Sequence, residues 1–112
     1  MLKKGITIDY SELKEKVLFA EKFVIVSLNK QSKASSYLME LTLFEVLKDL
    51  EQKVNVYNVR EKEQKKIIDE YQLFSEPLIL VFVHGVLKDV IYFPISQKKL
   101  KSKLLAVFNG KD

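Results

Sequence analysis

The stretch "EPLILVFVHGVLKDVIYF", residues 76 to 93, constrains the fold more than any other part of the chain. Two β-rich runs flank His84 and Gly85, and the glycine can take the positive φ that a tight hairpin turn needs. An antiparallel hairpin is expected there. Upstream, the hydrophobic pattern alternates between strand and helix. "ITI" is a short strand candidate. "DYSELKEKVLFAEK" pairs Asp9 with Glu12 three residues on, a spacing that satisfies free amides at a helix start, and Leu13, Val17, Leu18 and Ala20 follow as an apolar stripe. This predicts a first helix from about Asp9 to Glu21.

"FVIVSL", residues 23 to 28, is β-branched and almost continuously apolar, as suits a central strand covered on both faces. From Ser35 or Ser36 to about Gln52 the pattern is helical with no Gly or Pro, and carries Leu38, Leu41, Leu47 and Leu50. "VNVYNV" alternates as a strand, and "EKEQKKIIDEYQL" gives a charged helix with Ile67, Ile68 and Tyr71 inward. Ser96 is placed to cap a last helix, "QKKLKSKLLAVF", which ends at Asn109 and Gly110. The order is (β)αβαβαββα. Strands separated by helices are expected to pair in parallel and the last two antiparallel, in a central mixed sheet of four to five strands with helices on both faces.

At 112 residues, with no linker or internal repeat, residues 1–112 are expected to form a single domain. Nineteen basic residues face fifteen acidic ones, and the basic residues are nearly all lysines interleaved with glutamates. That pattern reads as solvated helix faces rather than an Arg-rich phosphate groove, so nucleic acid is not the expected partner. The longest apolar run has six residues, far short of a membrane span, and the N-terminus has no signal-peptide apolar region. A cytoplasmic protein follows by default.

The absence of cysteine excludes disulfides, thiolate catalysis and cysteine-based metal sites for this sequence. The only histidine, His84, sits in the expected hairpin turn, which leaves Ser35 and Ser36 without a base and scattered carboxylates without a metal-binding partner. The three glycines stand too far apart for a phosphate loop. No cofactor is implied. The long helix also carries Tyr37, Met39, Leu43, Phe44 and Val46. Its wide apolar surface is read as extra core packing, with a homodimer or partner face through Met39, Leu43 and Phe44 as the alternative.

This order, with "KFVIVSL", "KVNVYNVR" and "EYQLFSEPLILVFVHG" as its signatures, resembles the thioredoxin fold family over nearly the whole chain, from about Asp9 to Phe108. The register needs no gap between Phe23 and Leu104. The resemblance places Pro77 on the family's cis-proline and "KASS", Lys33 to Ser36, on its Cys-x-x-Cys; a shift of one residue puts Ser32 and Ser35 there instead. Either way no thiolate is present, and a serine hydroxyl cannot form the mixed disulfide that thioredoxin chemistry needs. The family's buried acid falls at Ser27, and its tryptophan at Ser32.

What the resemblance implies is a redox-inactive thioredoxin-like domain that keeps the fold as a protein-binding or scaffolding module. The alternative is a thiol-disulfide oxidoreductase whose active-site cysteines were replaced by serine. By the same resemblance the binding surface comprises Ser32, Lys33, Ala34, Ser35, Ser36, Glu76 and Pro77, takes a protein or peptide partner, and carries a Lys33–Glu76 ion pair. Ser35 or Ser36 is expected to cap the long helix.

Overall fold

The computed structural model describes residues 6–19, 22–30, 34–50, 53–74 and 76–110. Its strands are β1 (Ile6–Ile8), β2 (Phe23–Leu28), β3 (Asn55–Val59), β4 (Leu78–Val83) and β5 (Val86–Tyr92), and its helices are α1 (Tyr10–Phe19), α2 (Ala34–Asp49), α3 (Gln64–Tyr71) and α4 (Gln97–Phe108). A 3₁₀ turn, Glu61–Glu63, leads into α3. The five strands form one mixed sheet in the order β1-β3-β2-β4-β5.

Every residue of β2 is buried, and the strand is flanked by β3 on one side and β4 on the other, which is why its sequence lacks alternation. Its side chains still sort by parity. Phe23 and Ile25 join Ile79, Val81 and Ile91 under α2 and α4, while Val24, Val26 and Leu28 join Tyr57, Leu78 and Leu80 under α1 and α3. Each large side chain buried this fully stabilises the fold by about 1.5–3 kcal/mol relative to exposure. The helices thus cover both faces, as expected.

One pairing expectation fails. Strands β1 and β3, and β2 and β3, are parallel, but β4 is antiparallel to β2 although a helix precedes it. The reason is the end at which the chain returns. β3 finishes beside the end of β2, with Asn58 opposite Ser27, and β4 begins at that same end, with Leu78 opposite Leu28. The eight-residue α3 carries the chain across the sheet without returning it to the far end, so β4 must run backwards.

The β4–β5 hairpin turns on His84 and Gly85, with φ of 50° and 78°, the paired positive values of the turn that matches strand twist. Ser96 caps α4 by accepting a bond from Lys99 N at 3.2 Å, and Gly110 follows the helix at φ 73°. At the start of α1 the Glu12 carboxylate accepts from Asp9 N at 3.1 Å, while the Asp9 carboxylate turns instead to Arg60 at 2.5 Å. The expected extension of α1 to Ala20 and Glu21 lies outside the described residues.

Helix α2 corrects three expectations. It is helical by Ala34, so Ser35 and Ser36 stand inside its first turn and neither caps it. It ends at Asp49 rather than Gln52. Its buried stripe is Ser36, Met39, Leu43 and Val46, spaced by three and four and continued by Leu50 just past its end, whereas Leu38 is exposed and Leu41 and Leu47 are half-buried. Met39 and Leu43 are 1% and 2% exposed in the core against β2, β4 and α4, which leaves them no area for a second copy, and Phe44 is half-buried.

Candidate functional site

Sheet register gathers three segments at one pole. Leu28, Leu78 and Tyr92 lie side by side across β2, β4 and β5, so the chain leaving β2, the chain entering β4 and the chain leaving β5 all emerge together. There Glu76–Pro77 and Phe93–Pro94 are cis peptide bonds, and Phe93 N donates to Pro77 O at 3.1 Å. Lys30 Nζ meets Glu76 Oε1 at 3.1 Å across the pole. On the other flank, Phe74, 87% exposed, stands 5.8 Å from the Tyr92 ring, and its N–H donates to the Tyr92 hydroxyl at 3.1 Å.

The first turns of α2 and the loop after β5 face one another across a groove of roughly 170 Å³. It is lined by Ser35, Leu38, Met39, Thr42 and the tripeptide Phe93, Pro94, Ile95. Leu38 is 61% exposed on its lip, with Tyr37 beside it at 62%. Exposed aliphatic surface of this kind loses hydration favourably when another apolar group covers it.

Of the sequence-predicted residues, Ala34 and Ser35 are exposed at the start of α2, and Glu76 and Pro77 are half-buried beside Lys30. Ser36 departs from the expectation: it is 3% exposed, and its Oγ accepts from Lys30 N at 3.1 Å, so it holds the loop instead of lining a surface. Ser32 and Lys33, and with them the expected Lys33–Glu76 pair, lie outside the described residues. Leu38, Thr42, Phe93, Pro94 and Ile95 were missed. The available signal was "FPI", an apolar tripeptide between the end of a strand and a helix cap, where loop residues are usually polar.

Beneath the pole lies a buried polar network. Ser27, 1% exposed, donates to Asn58 Oδ1 and accepts from Asn29 Nδ2 at 3.1 Å. Gln64, 3% exposed, donates through Nε2 to Asn29 O at 2.8 Å and Val59 O at 2.9 Å, while its Oε1 has no protein partner. Asn29, Asn58 and Arg60 also border an open polar cavity of roughly 670 Å³ beyond the ends of β1 and β3. Hydroxyls and amides can orient the loop after β2 by hydrogen bonding, but unlike a carboxylate they do not exchange protons near neutral pH.

The displaced titrations lie elsewhere, where α1 meets α3. The Glu70 carboxyl is held below its ordinary range by hydrogen bonds from Lys14 and then from the Tyr10 hydroxyl, the latter at 2.6 Å. Glu63 is likewise lowered, first by Lys66 and then by Tyr10 N at 3.2 Å. The bonds from Lys14 and Tyr10 join α1 to α3 and to the 3₁₀ turn before it, on the face opposite α2, whereas the Lys66–Glu63 bond is local.

The chemical options at the pole are narrow. His84 is in the turn at the other end of β4, whose six residues span about 20 Å, so it cannot act as a base for Ser35. Among the described residues, no group of three or more His, Asp or Glu could hold a metal ion. With no cysteine in the sequence, thiol-disulfide exchange has no nucleophile.

No protein-family profile matches this sequence, and no curated protein matches it. Solved structures do. A mutant thioredoxin from Halobacterium salinarum NRC-1 superposes with a TM-score of 0.74 at 12% identity, covering 92% of this chain and 89% of that one. A designed protein superposes with a TM-score of 0.77 at 16% identity, covering 95% and 99%. The sheet order, the helices on both faces and these superpositions together show that the chain has a thioredoxin-like fold without the cysteines of a Cys-x-x-Cys motif.

Proposed function

We propose that this chain is a redox-inactive, thioredoxin-like protein-binding or scaffolding module that takes an extended peptide of a partner at the pole where α2 begins. The observation that carries the reading is the open apolar groove between Leu38 and Phe93-Pro94-Ile95, at the end of the sheet where three segments converge. A peptide side chain entering it would cover Leu38 and the pyrrolidine ring of Pro94, and the Lys30–Glu76 pair would supply charged hydrogen-bonding groups at the rim. A cytoplasmic location belongs to the same proposal and is tested by fractionating the source cells.

Affinity capture from the source cell's lysate tests the binding reading. Leu38→Asp places a carboxylate on the groove's lip at an exposed position and should leave the fold intact. A specific partner held by the native protein and lost by this variant supports the proposal; a captured set that the variant leaves unchanged sinks it.

A further inference from the structure

The net positive charge of this chain equals that of one helix. α4 carries Lys98, Lys99, Lys101 and Lys103 and no acidic residue, and these four lysines account for the whole formal excess of nineteen basic over fifteen acidic side chains. Several lysines elsewhere find carboxylates: Lys30 meets Glu76 at 3.1 Å, Lys48 meets Glu45 at 3.5 Å, Lys65 meets Asp69 at 3.6 Å and Lys66 meets Glu63 at 2.8 Å. Among the described residues, none of the four α4 lysines has an acidic partner within ion-pair distance, and Lys98, Lys99 and Lys103 are exposed.

This unpaired face adjoins the groove. Pro94 and Ile95 form one wall and run directly into Ser96, whose hydroxyl accepts from Lys99 N, so Lys98 and Lys99 stand within one helical turn of the wall. Both occupy the first turn of α4, where backbone N–H groups point outward and cations are disfavoured. The placement weakens the isolated helix and strengthens the field felt by an anion arriving at the groove.

Resting on the peptide-binding reading, we infer that the groove and the α4 lysines form one docking surface for an acidic peptide segment that carries an apolar side chain. The apolar side chain sits between Leu38 and Pro94, and flanking Glu or Asp residues face Lys98 and Lys99. Lysines suit this role as point charges, whereas α4 offers no arginine fork for phosphate. The groove lining is mostly aliphatic, with Leu38, Met39, Pro94 and Ile95 around the single ring of Phe93, and so offers no row of aromatic platforms for successive bases.

The test uses short fluorescent peptides with one leucine between glutamates, the same peptide with glutamines or lysines in place of the glutamates, and one with serine in place of leucine. Single- and double-stranded DNA oligonucleotides complete the set. Each is titrated into the full chain to about 1 mM, which reaches half saturation for a millimolar interaction. The Glu–Leu peptide should bind best, shift the amide resonances of Leu38, Thr42, Ile95 and the first turn of α4, and weaken with added salt.

In the double variant Lys98→Glu, Lys99→Glu its affinity should fall about tenfold. The variant's melting temperature should be unchanged or higher, because carboxylates suit a helix N-terminus, so lost binding cannot be ascribed to unfolding. Equal binding of all Leu-containing peptides, or insensitivity to the lysine reversal, overturns this inference while leaving the peptide-binding reading intact. Preference for DNA over every peptide, or no peptide binding at all, overturns both.

Discussion

Replacing Gln64 by glutamate tests whether the polar network beneath the pole holds the loop after β2. The side chain is 3% exposed, and its Nε2 gives two N–H bonds, to Asn29 O at 2.8 Å and Val59 O at 2.9 Å. Glutamate keeps the shape and turns the donor into an acceptor. At neutral pH two bonds worth about 1 kcal/mol each disappear, two carbonyls lose their donor, and a carboxylate is buried without a counter-charge. An uncompensated buried charge costs about 3–5 kcal/mol, a large part of the roughly 5–15 kcal/mol that holds a domain folded.

Gln64→Leu separates the two effects. It also strands the carbonyls, yet it removes the buried Oε1 that has no partner, so its net cost should be smaller, about 1–3 kcal/mol. In Gln64→Glu, burial and the facing carbonyls raise the folded pKa of the introduced carboxyl above its unfolded value near 4.3. The penalty is then complete above the folded pKa and shrinks as pH falls through it, because the protonated acid donates one bond again. Urea unfolding at neutral pH and at about pH 5 reads this as a gap between Gln64→Glu and wild type that narrows in acid. The network is refuted if glutamate costs less than about 0.5 kcal/mol at neutral pH, or if the gap is the same at both pH values.

Three shorter predictions follow. Met39→Ala should cost about 2–5 kcal/mol in urea unfolding and Leu38→Ala under about 1 kcal/mol, because only the first empties a core position; equal costs would contradict the assigned buried stripe. Glu70 and Glu63 have folded pKa values below their unfolded ones, so the stability they contribute is present above about pH 4.3–4.5 and is lost as pH falls through the folded values. Glu70→Gln should therefore flatten the acid arm of a melting-temperature profile while costing no more than about 1 kcal/mol at neutral pH. His84→Asn should raise stability by about 0.5–1 kcal/mol in thermal unfolding, since asparagine tolerates φ near 50° better, and a drop would contradict the turn geometry.

Much of the fold was legible because each element wrote its own period. β2 is apolar but for Ser27 because it has a neighbouring strand on each side and helices on both faces; His84-Gly85 marks the hairpin; Ser96 marks the start of α4. α2 was harder. Eight of the eleven positions from Tyr37 to Leu47 are apolar, so stripes through Leu38-Leu41 and through Met39-Leu43-Val46 both fit the helical period. Only packing against β2, β4 and α4 selects the second. The antiparallel direction of β4 was hidden for a related reason: a helix between two strands does not say at which end of the sheet the chain re-enters.

The site was less legible than the fold because its parts meet only after the sheet has formed. The thioredoxin resemblance pointed to Ala34, Ser35, Glu76 and Pro77, all of which the structure brings to the same pole, but it assigned Ser36 to the surface and gave no sign of the Lys30–Glu76 pair. Ser36 is pulled inward because Lys30 N needs an acceptor where β2 ends, and Glu76 is reached by Lys30 because Leu28 and Leu78 are register partners. Neither contact follows from local sequence. The groove has the same character: Leu38 resembles any other helix leucine, and "FPI" resembles any loop, until the alignment of Leu78 with Tyr92 sets them face to face. A chain with a thioredoxin-like fold but no cysteine still keeps the strand register that gathers these segments at one pole, so the surface to interrogate first is the one that register creates.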